Sequence, residues 1–208
     1  MSPYLLYLVT DDHQDIETLK YVVSEAVKGG VTMVQVREKH GDIRAFIERA
    51  KAVKSVLEGT GVPLIINDRV DVALAVKADG IHLGQSDMPA TIARELIGKD
   101  MLLGLSVENE KQLAEAQSLP VDYLGVSAIF ATPTKTNTVK HWGIDGLKKA
   151  VEASKLPLVA IGGIKDSNIR KIAETGVDGI ALVSAICHAE DPKLASYDLR
   201  AIIESSTE

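Results

Sequence analysis

Eight short apolar runs recur along the chain, each followed by a stretch with helical spacing, and no other feature limits the fold so strongly. The runs cover residues 4–10, 32–36, 63–66, 80–83, 102–106, 123–127, 158–161 and 179–183. They are apolar throughout rather than alternating, as parallel strands covered on both faces are. Between them, Asp15 to Lys28 places Ile16, Leu19, Val22, Val23, Ala26 and Val27 on one stripe, and Gly29-Gly30 ends that helix. Asp42 reads as the N-cap of a helix that turns Ile43, Phe46, Ile47 and Ala50 inward. Asp166 reads as the cap of a helix carrying Ile169, Ile172 and Ala173. Dividing 208 residues by eight gives a period of about 26, short but sufficient for a βα unit. The expected fold is therefore α/β, a (β/α)₈ TIM barrel formed by residues 1–208 as one domain. The runner-up is an open doubly wound sheet, but no GxGxxG follows the first run, which disfavours a dinucleotide fold.

Composition narrows the partners. A net charge of −6 argues against nucleic acid or a membrane surface, either of which would favour a basic patch. A small anionic ligand stays open, because local lysines and a metal ion override the global sign. The one cysteine, Cys187, sits in an apolar stretch and reads as a buried structural thiol, without an internal disulfide. The chain opens without a signal peptide, and its apolar runs fall short of the roughly 18 residues a membrane span needs, so the expected location is the cytoplasm. The oligomeric state stays open, a homo-oligomer included.

Barrel enzymes place their chemistry at the C-terminal ends of the strands. Those ends carry Gln35-Val-Arg-Glu-Lys39, Asn67-Asp-Arg-Val-Asp71, His82-Leu-Gly-Gln-Ser-Asp87, Ser106, Ser127 with Thr132-Pro-Thr-Lys-Thr136, Gly162-Gly163 and Val183-Ser184. Each has an ordinary reading by itself. Arg37 and Lys39 suit a solvated rim, Asp68 and Asp87 suit helix caps, Gly162-Gly163 suits a tight turn, and His82 suits a packed core histidine. Together they place cations after the second run, acids after the third and fourth, and hydroxyls with a lysine after the sixth. That pattern serves two anion sites. Glycines after the seventh run and a hydroxyl after the eighth suit a phosphate cradle. Asp68 and Asp87 would repel a diphosphate unless Mg²⁺ stood between, and Arg37, Lys39 and Lys135 would take the remaining charge. The long segment 128–142 exceeds normal βα loop length and is a further functional candidate. The sequence offers no evident nucleophile, so positioning and charge stabilisation of a leaving group carry the expected catalysis.

These motifs, with Tyr7-Leu-Val-Thr-Asp11, Gly125 through Thr136 and Val159-Ala-Ile-Gly-Gly-Ile164, resemble the successive signatures of the thiamine-phosphate synthases, in that family's order and over nearly the whole chain. The resemblance implies condensation of 4-amino-2-methyl-5-hydroxymethylpyrimidine diphosphate with 4-methyl-5-(2-phosphoethyl)thiazole, diphosphate leaving before the thiazole nitrogen attacks. Carried over by position, it implies that Gln35, Val36, Arg37, Glu38, Lys39, Asn67, Ser106 and Lys135 hold the pyrimidine diphosphate. Of these, Arg37, Lys39, Ser106 and Lys135 would act in catalysis. Asp68 and Asp87 would ligate Mg²⁺, and Thr132, Pro133, Thr134, Gly163, Val183 and Ser184 would hold the thiazole phosphate. Ser127-Ala128 and Ala131 depart from the Gly-Pro and Pro that the family often carries there. The rivals are a thiazole tautomerase, a non-catalytic phosphate-ligand sensor, and a phosphate-binding barrel of amino-acid biosynthesis; none of the three needs the two acids.

Overall fold

The computed structural model describes residues 2–131 and 141–206. Strands β1 (Leu6–Val9), β2 (Met33–Val36), β3 (Leu64–Asn67), β4 (Gly80–Leu83), β5 (Leu102–Val107), β6 (Tyr123–Val126), β7 (Leu158–Ile161) and β8 (Gly179–Leu182) pair in parallel in chain order, and β8 returns to β1. All eight expected strands are present in a closed barrel, which rules out the open-sheet alternative. Around it run α1 (Ile16–Lys28), α2 (Ile43–Leu57), α3 (Val70–Val76), α4 (Ala90–Ile97), α5 (Glu110–Ala116), α6 (Gly143–Ala153), α7 (Asp166–Ala173), the short α8 (Ser184–Cys187) and α9 (Pro192–Glu204).

Two apolar layers result from the strand period of two. Outward residues such as Leu6, Leu8, Val34, Ile66, Leu103 and Leu124 join the helix stripes, α1 contributing Leu19, Val22, Val23 and Ala26. The inward set is smaller: Tyr7, Val9, Met33, Ile65, Tyr123, Val159 and Ala181 pack together, with Tyr4 below them. So the strands do alternate, but both faces are buried, which is why the sequence shows nearly unbroken apolar runs.

Local signals behave as read, with two corrections. Asp15 and Asp42 cap α1 and α2, accepting the Thr18 and Ala45 N–H groups at 2.8 and 2.9 Å. Asp166, however, is the first residue of α7 rather than its cap. The terminus is closed instead by Asn168, whose side-chain oxygen accepts the Lys165 N–H at 2.8 Å. Ile43 lies in the first turn of α2 and is 39% exposed, whereas Phe46 and Ala50 are buried.

A repeated device registers the N-terminal ends of the strands. The side chains of Thr32, Asp79, Asp122 and Asp178, just before β2, β4, β6 and β8, accept the N–H groups of Leu6, Leu64, Leu103 and Leu158 at 2.7–3.0 Å. Those four amides open β1, β3, β5 and β7 or lie one residue inside them, where an unpaired N–H would be costly. The polar strand-end residues thereby come to one rim, the C-terminal one.

Candidate active site

The polar groups on that rim sit at positions dictated by strand parity. Gln35, Asn67, His82 and Ser106 occupy the last inward positions of β2, β3, β4 and β5, above the apolar lumen. Gln35 is 5% exposed and donates from Nε2 to the Tyr7 hydroxyl at 2.7 Å. Asn67 is 7% exposed, and its Nδ2 has no hydrogen-bond partner among the described residues. A buried amide donor without an acceptor is costly in a folded protein, so it marks a place where a ligand acceptor belongs.

Asp68 follows Asn67 with φ of 63°, a left-handed backbone that few non-glycine residues adopt. It does not cap α3; Arg69 holds the N-cap position, and its side chain pairs with Asp71 at 2.6 Å. Instead its Oδ2 accepts from the Lys39 ammonium. Asp87 is no helix cap either, since Pro89 precedes α4. Its Oδ2 accepts the Gly84 N–H at 2.7 Å, and its carboxyl neighbours that of Asp68. Burial, followed by that second carboxyl, pushes the Asp87 carboxyl above the usual range, against the pull of the Gly84 amide and Lys39. Two acids held together beside one ammonium form a donor set suited to a hard divalent cation.

The other residues named from the sequence differ in what their side chains are free to do. Arg37 is half-exposed, and its guanidinium makes no ion pair with a described residue. Val36 and Glu38 offer a ligand only their backbone. Val36 packs into the outer layer, and the Glu38 carboxylate is taken by Arg49 Nε at 2.6 Å. Burial raises that carboxyl, with Arg49 drawing it the other way. Ser106 accepts or donates at 2.9 Å with His82 Nε2. Across the rim, Gly162 and Gly163 end β7 with φ of 99° and 69°, beside Val183 and Ser184 at the end of the neighbouring β8. A Cβ on Gly163 would come 2.8 Å from Phe130 and Ala131, so the glycine is required by the packing of the segment after β6, as well as by its backbone. Thr132, Pro133, Thr134 and Lys135 lie outside the described residues.

Three features were not legible from motifs. His82 is not a packed core histidine: it is half-buried, with Nδ1 3.0 Å from the Tyr123 hydroxyl and Nε2 bonded to Ser106. Tyr7 and Tyr123 read as core residues, yet their hydroxyls meet at 3.0 Å inside the barrel. Third, Asp11, Asp12 and His13 bring their ligand atoms within 4.8 Å of one another beyond β1, with His188 Nε2 2.5 Å from Asp11. Cys187 is buried, as expected. Two surface clefts, one lined by Lys28, Gly30, Tyr197 and Arg200 and the other by Glu108, His141, Trp142 and Lys149, contain none of the strand-end residues named above.

The chain as a whole is similar to known proteins. Residues 6–186 match the sequence profile of the family described as thiamine monophosphate synthase. The chain is 76% identical to the thiamine-phosphate synthase of Vibrio campbellii over 196 residues, 94% of this chain and 96% of that one. It is 71% identical to the thiamine-phosphate synthase of Vibrio parahaemolyticus over 204 residues, 98% of this chain and all of that one. Among solved structures, thiamine phosphate pyrophosphorylase from Pyrococcus furiosus superposes with a TM-score of 0.89 at 39% identity, over 100% of this chain and 98% of that chain.

Proposed function

The chain belongs to the thiamine monophosphate synthase family, a family of transferases, and we propose that it joins 4-amino-2-methyl-5-hydroxymethylpyrimidine diphosphate to 4-methyl-5-(2-phosphoethyl)thiazole, residues 1–208 acting as one domain. The observation that carries the reading is the orphaned amide of Asn67, buried at the end of β3, with Arg37 and Lys39 following β2 on one side, Asp87 following β4 on the other, and Asp68 next to it in the chain. An amide donor there needs an acceptor that tolerates cations on one side and, through a metal, acids on the other. A diphosphate oxygen meets all three conditions.

In this reading Arg37, Lys39, Asn67 and Ser106 bind the diphosphate, and Gln35 lies beneath the pyrimidine. Asp68 and Asp87 would hold Mg²⁺, which when bound supplies positive charge to the departing diphosphate. The carbon–oxygen bond breaks with its electron pair going to diphosphate, leaving a cation delocalised into the aminopyrimidine. The thiazole nitrogen then donates its lone pair to form the carbon–nitrogen bond. That nitrogen carries no proton, so the step needs no general base. Arg37 and Lys39 gain most as charge develops on the leaving oxygens, which lowers the barrier rather than the ground state. Lys135 would join them there. Gly163, Val183 and Ser184, with Thr132, Pro133 and Thr134, would hold the thiazole phosphate on the far side of the rim.

Among the described residues no helix is long and apolar enough to cross a membrane. A lone buried cysteine suits the reducing cytoplasm, where we place the enzyme. Incubation with both substrates and Mg²⁺, followed by mass detection of thiamine phosphate, tests the proposal. Absence of product from folded protein would overturn it.

A further inference from the structure

Five side chains from five strands form one unbroken hydrogen-bond chain through the barrel. Gln35 Nε2 lies 2.7 Å from the Tyr7 hydroxyl, which lies 3.0 Å from the Tyr123 hydroxyl. Tyr123 lies 3.0 Å from His82 Nδ1, and His82 Nε2 lies 2.9 Å from Ser106 Oγ. We infer that this chain has a fixed direction, set by the Gln35 amide, that keeps His82 in its Nε2–H tautomer and turns the Ser106 hydrogen outward toward the pyrimidine diphosphate, with Tyr123 as the positioning residue.

The direction follows from proton counting. An amide NH₂ only donates, so the Tyr7 oxygen accepts from Gln35. Tyr7 and Tyr123 are 1% and 0% exposed, and burial raises both phenols far above neutrality, so each carries one proton. Among the described residues of the closed lumen the Tyr7 hydroxyl meets only Gln35, which donates to it, and Tyr123, so its proton goes to Tyr123; Tyr123, accepting there, gives its own proton to His82 Nδ1. A neutral imidazole that accepts at Nδ1 carries its hydrogen on Nε2 and donates it to Ser106. The Ser106 hydrogen cannot point back along that bond, and the remaining direction is away from the ring. Bonds aligned head to tail polarise one another, which strengthens the terminal donor.

The glycines of the barrel leave room for this arrangement of rings. A Cβ on Gly104 would come within 2.4 Å of His82 Nδ1 and 2.5 Å of the Tyr123 oxygen. On Gly125 it would come within 3.0 Å of His82 Cε1. Glycine weakens a strand interior, so its presence at both positions is explained by the room that the imidazole and phenol require.

The inference rests on Ser106 being a diphosphate ligand, and its test is separable from activity. In ¹⁵N-labelled full-length protein near neutral pH, the His82 ring nitrogens report directly which of them bears hydrogen. We expect Nε2–H and a bare Nδ1 in the parent. Tyr123→Phe keeps the ring, removes the link, and should give mixed tautomers, with kcat lowered roughly tenfold, the worth of one hydrogen bond, and KM for the pyrimidine diphosphate changed less. Gln35→Glu replaces the donor by an acceptor and should reverse the chain, moving hydrogen to Nδ1; it carries the test alone if Tyr123→Phe does not fold. Nδ1–H in the parent, or a tautomer unmoved by both variants, would overturn the inference. A correct tautomer in a protein that makes no thiamine phosphate would instead count against the proposed function alone.

Discussion

The ammonium of Lys39, beyond β2, is hydrogen-bonded to the carboxylate of Asp68, beyond β3. In the proposed site that carboxylate belongs to Mg²⁺ and that ammonium to the diphosphate, so loading the site exchanges one cation for another on Asp68. EDTA should abolish synthesis, and Mg²⁺ should restore it. Asp68→Ala should be inactive with an unchanged fold, because a rim side chain contributes little to the core. Lys39→Met should lower kcat by about 10²–10³, as loss of a donor at developing charge does. Full activity in EDTA, checked by product mass, would remove the metal from the mechanism.

Lys135→Ala should also act on turnover, lowering kcat by about 10²–10³ with a smaller change in KM. Steady-state kinetics decide this, and a kcat within a fewfold of the parent's would exclude Lys135 from the chemistry.

Gly163→Ala should raise KM for the thiazole phosphate more than for the pyrimidine diphosphate. The new methyl would meet Phe130 and Ala131 at 2.8 Å, on a backbone with φ of 69°, and so must displace the segment that leads to Thr132 and Thr134. Equal changes in the two KM values would place the phosphate elsewhere.

Asp79→Ala removes the acceptor of the buried Leu64 amide, which Asp79 holds at 2.8 Å. An unsatisfied buried N–H costs about 1–3 kcal/mol, so thermal unfolding should move down by several degrees with kinetics unchanged. Asp79→Asn keeps an acceptor and should recover most of the loss.

The Cys187 thiol is pushed up to about 12, chiefly by burial. Alkylating agents at mildly alkaline pH should leave it unmodified in folded protein and label it rapidly once unfolded. Above the ordinary thiol range near 8.5, the unfolded chain gives up a proton that the folded one keeps. The unfolded state then binds fewer protons, so this group makes stability fall as pH rises. Rapid labelling of native protein would show the site to be open.

The sequence by itself determined the barrel, because its eight apolar runs are too short for buried helices and alternate with helical stretches, as parallel strands buried on both faces do. It also located the rim residues Gln35, Arg37, Lys39, Asn67, Asp68, Asp87 and Ser106, since function in this fold collects at strand ends. Caps were legible where a side chain bonds its own first turn, as with Asp15 and Asp42, and misread at Asp166, where the Lys165 N–H donates instead to the side chain of Asn168. Tertiary structure alone decided that Asp68 faces Lys39 rather than a helix N-terminus, that Glu38 is consumed by Arg49, and that Gly163 is held by Phe130 and Ala131. It alone joined Tyr7, Tyr123 and His82, 116 and 41 positions apart along the chain. A hydroxyl on an apolar ring leaves no trace in hydrophobic periodicity; its partner is set by barrel closure, which brings β1, β4 and β6 to one lumen.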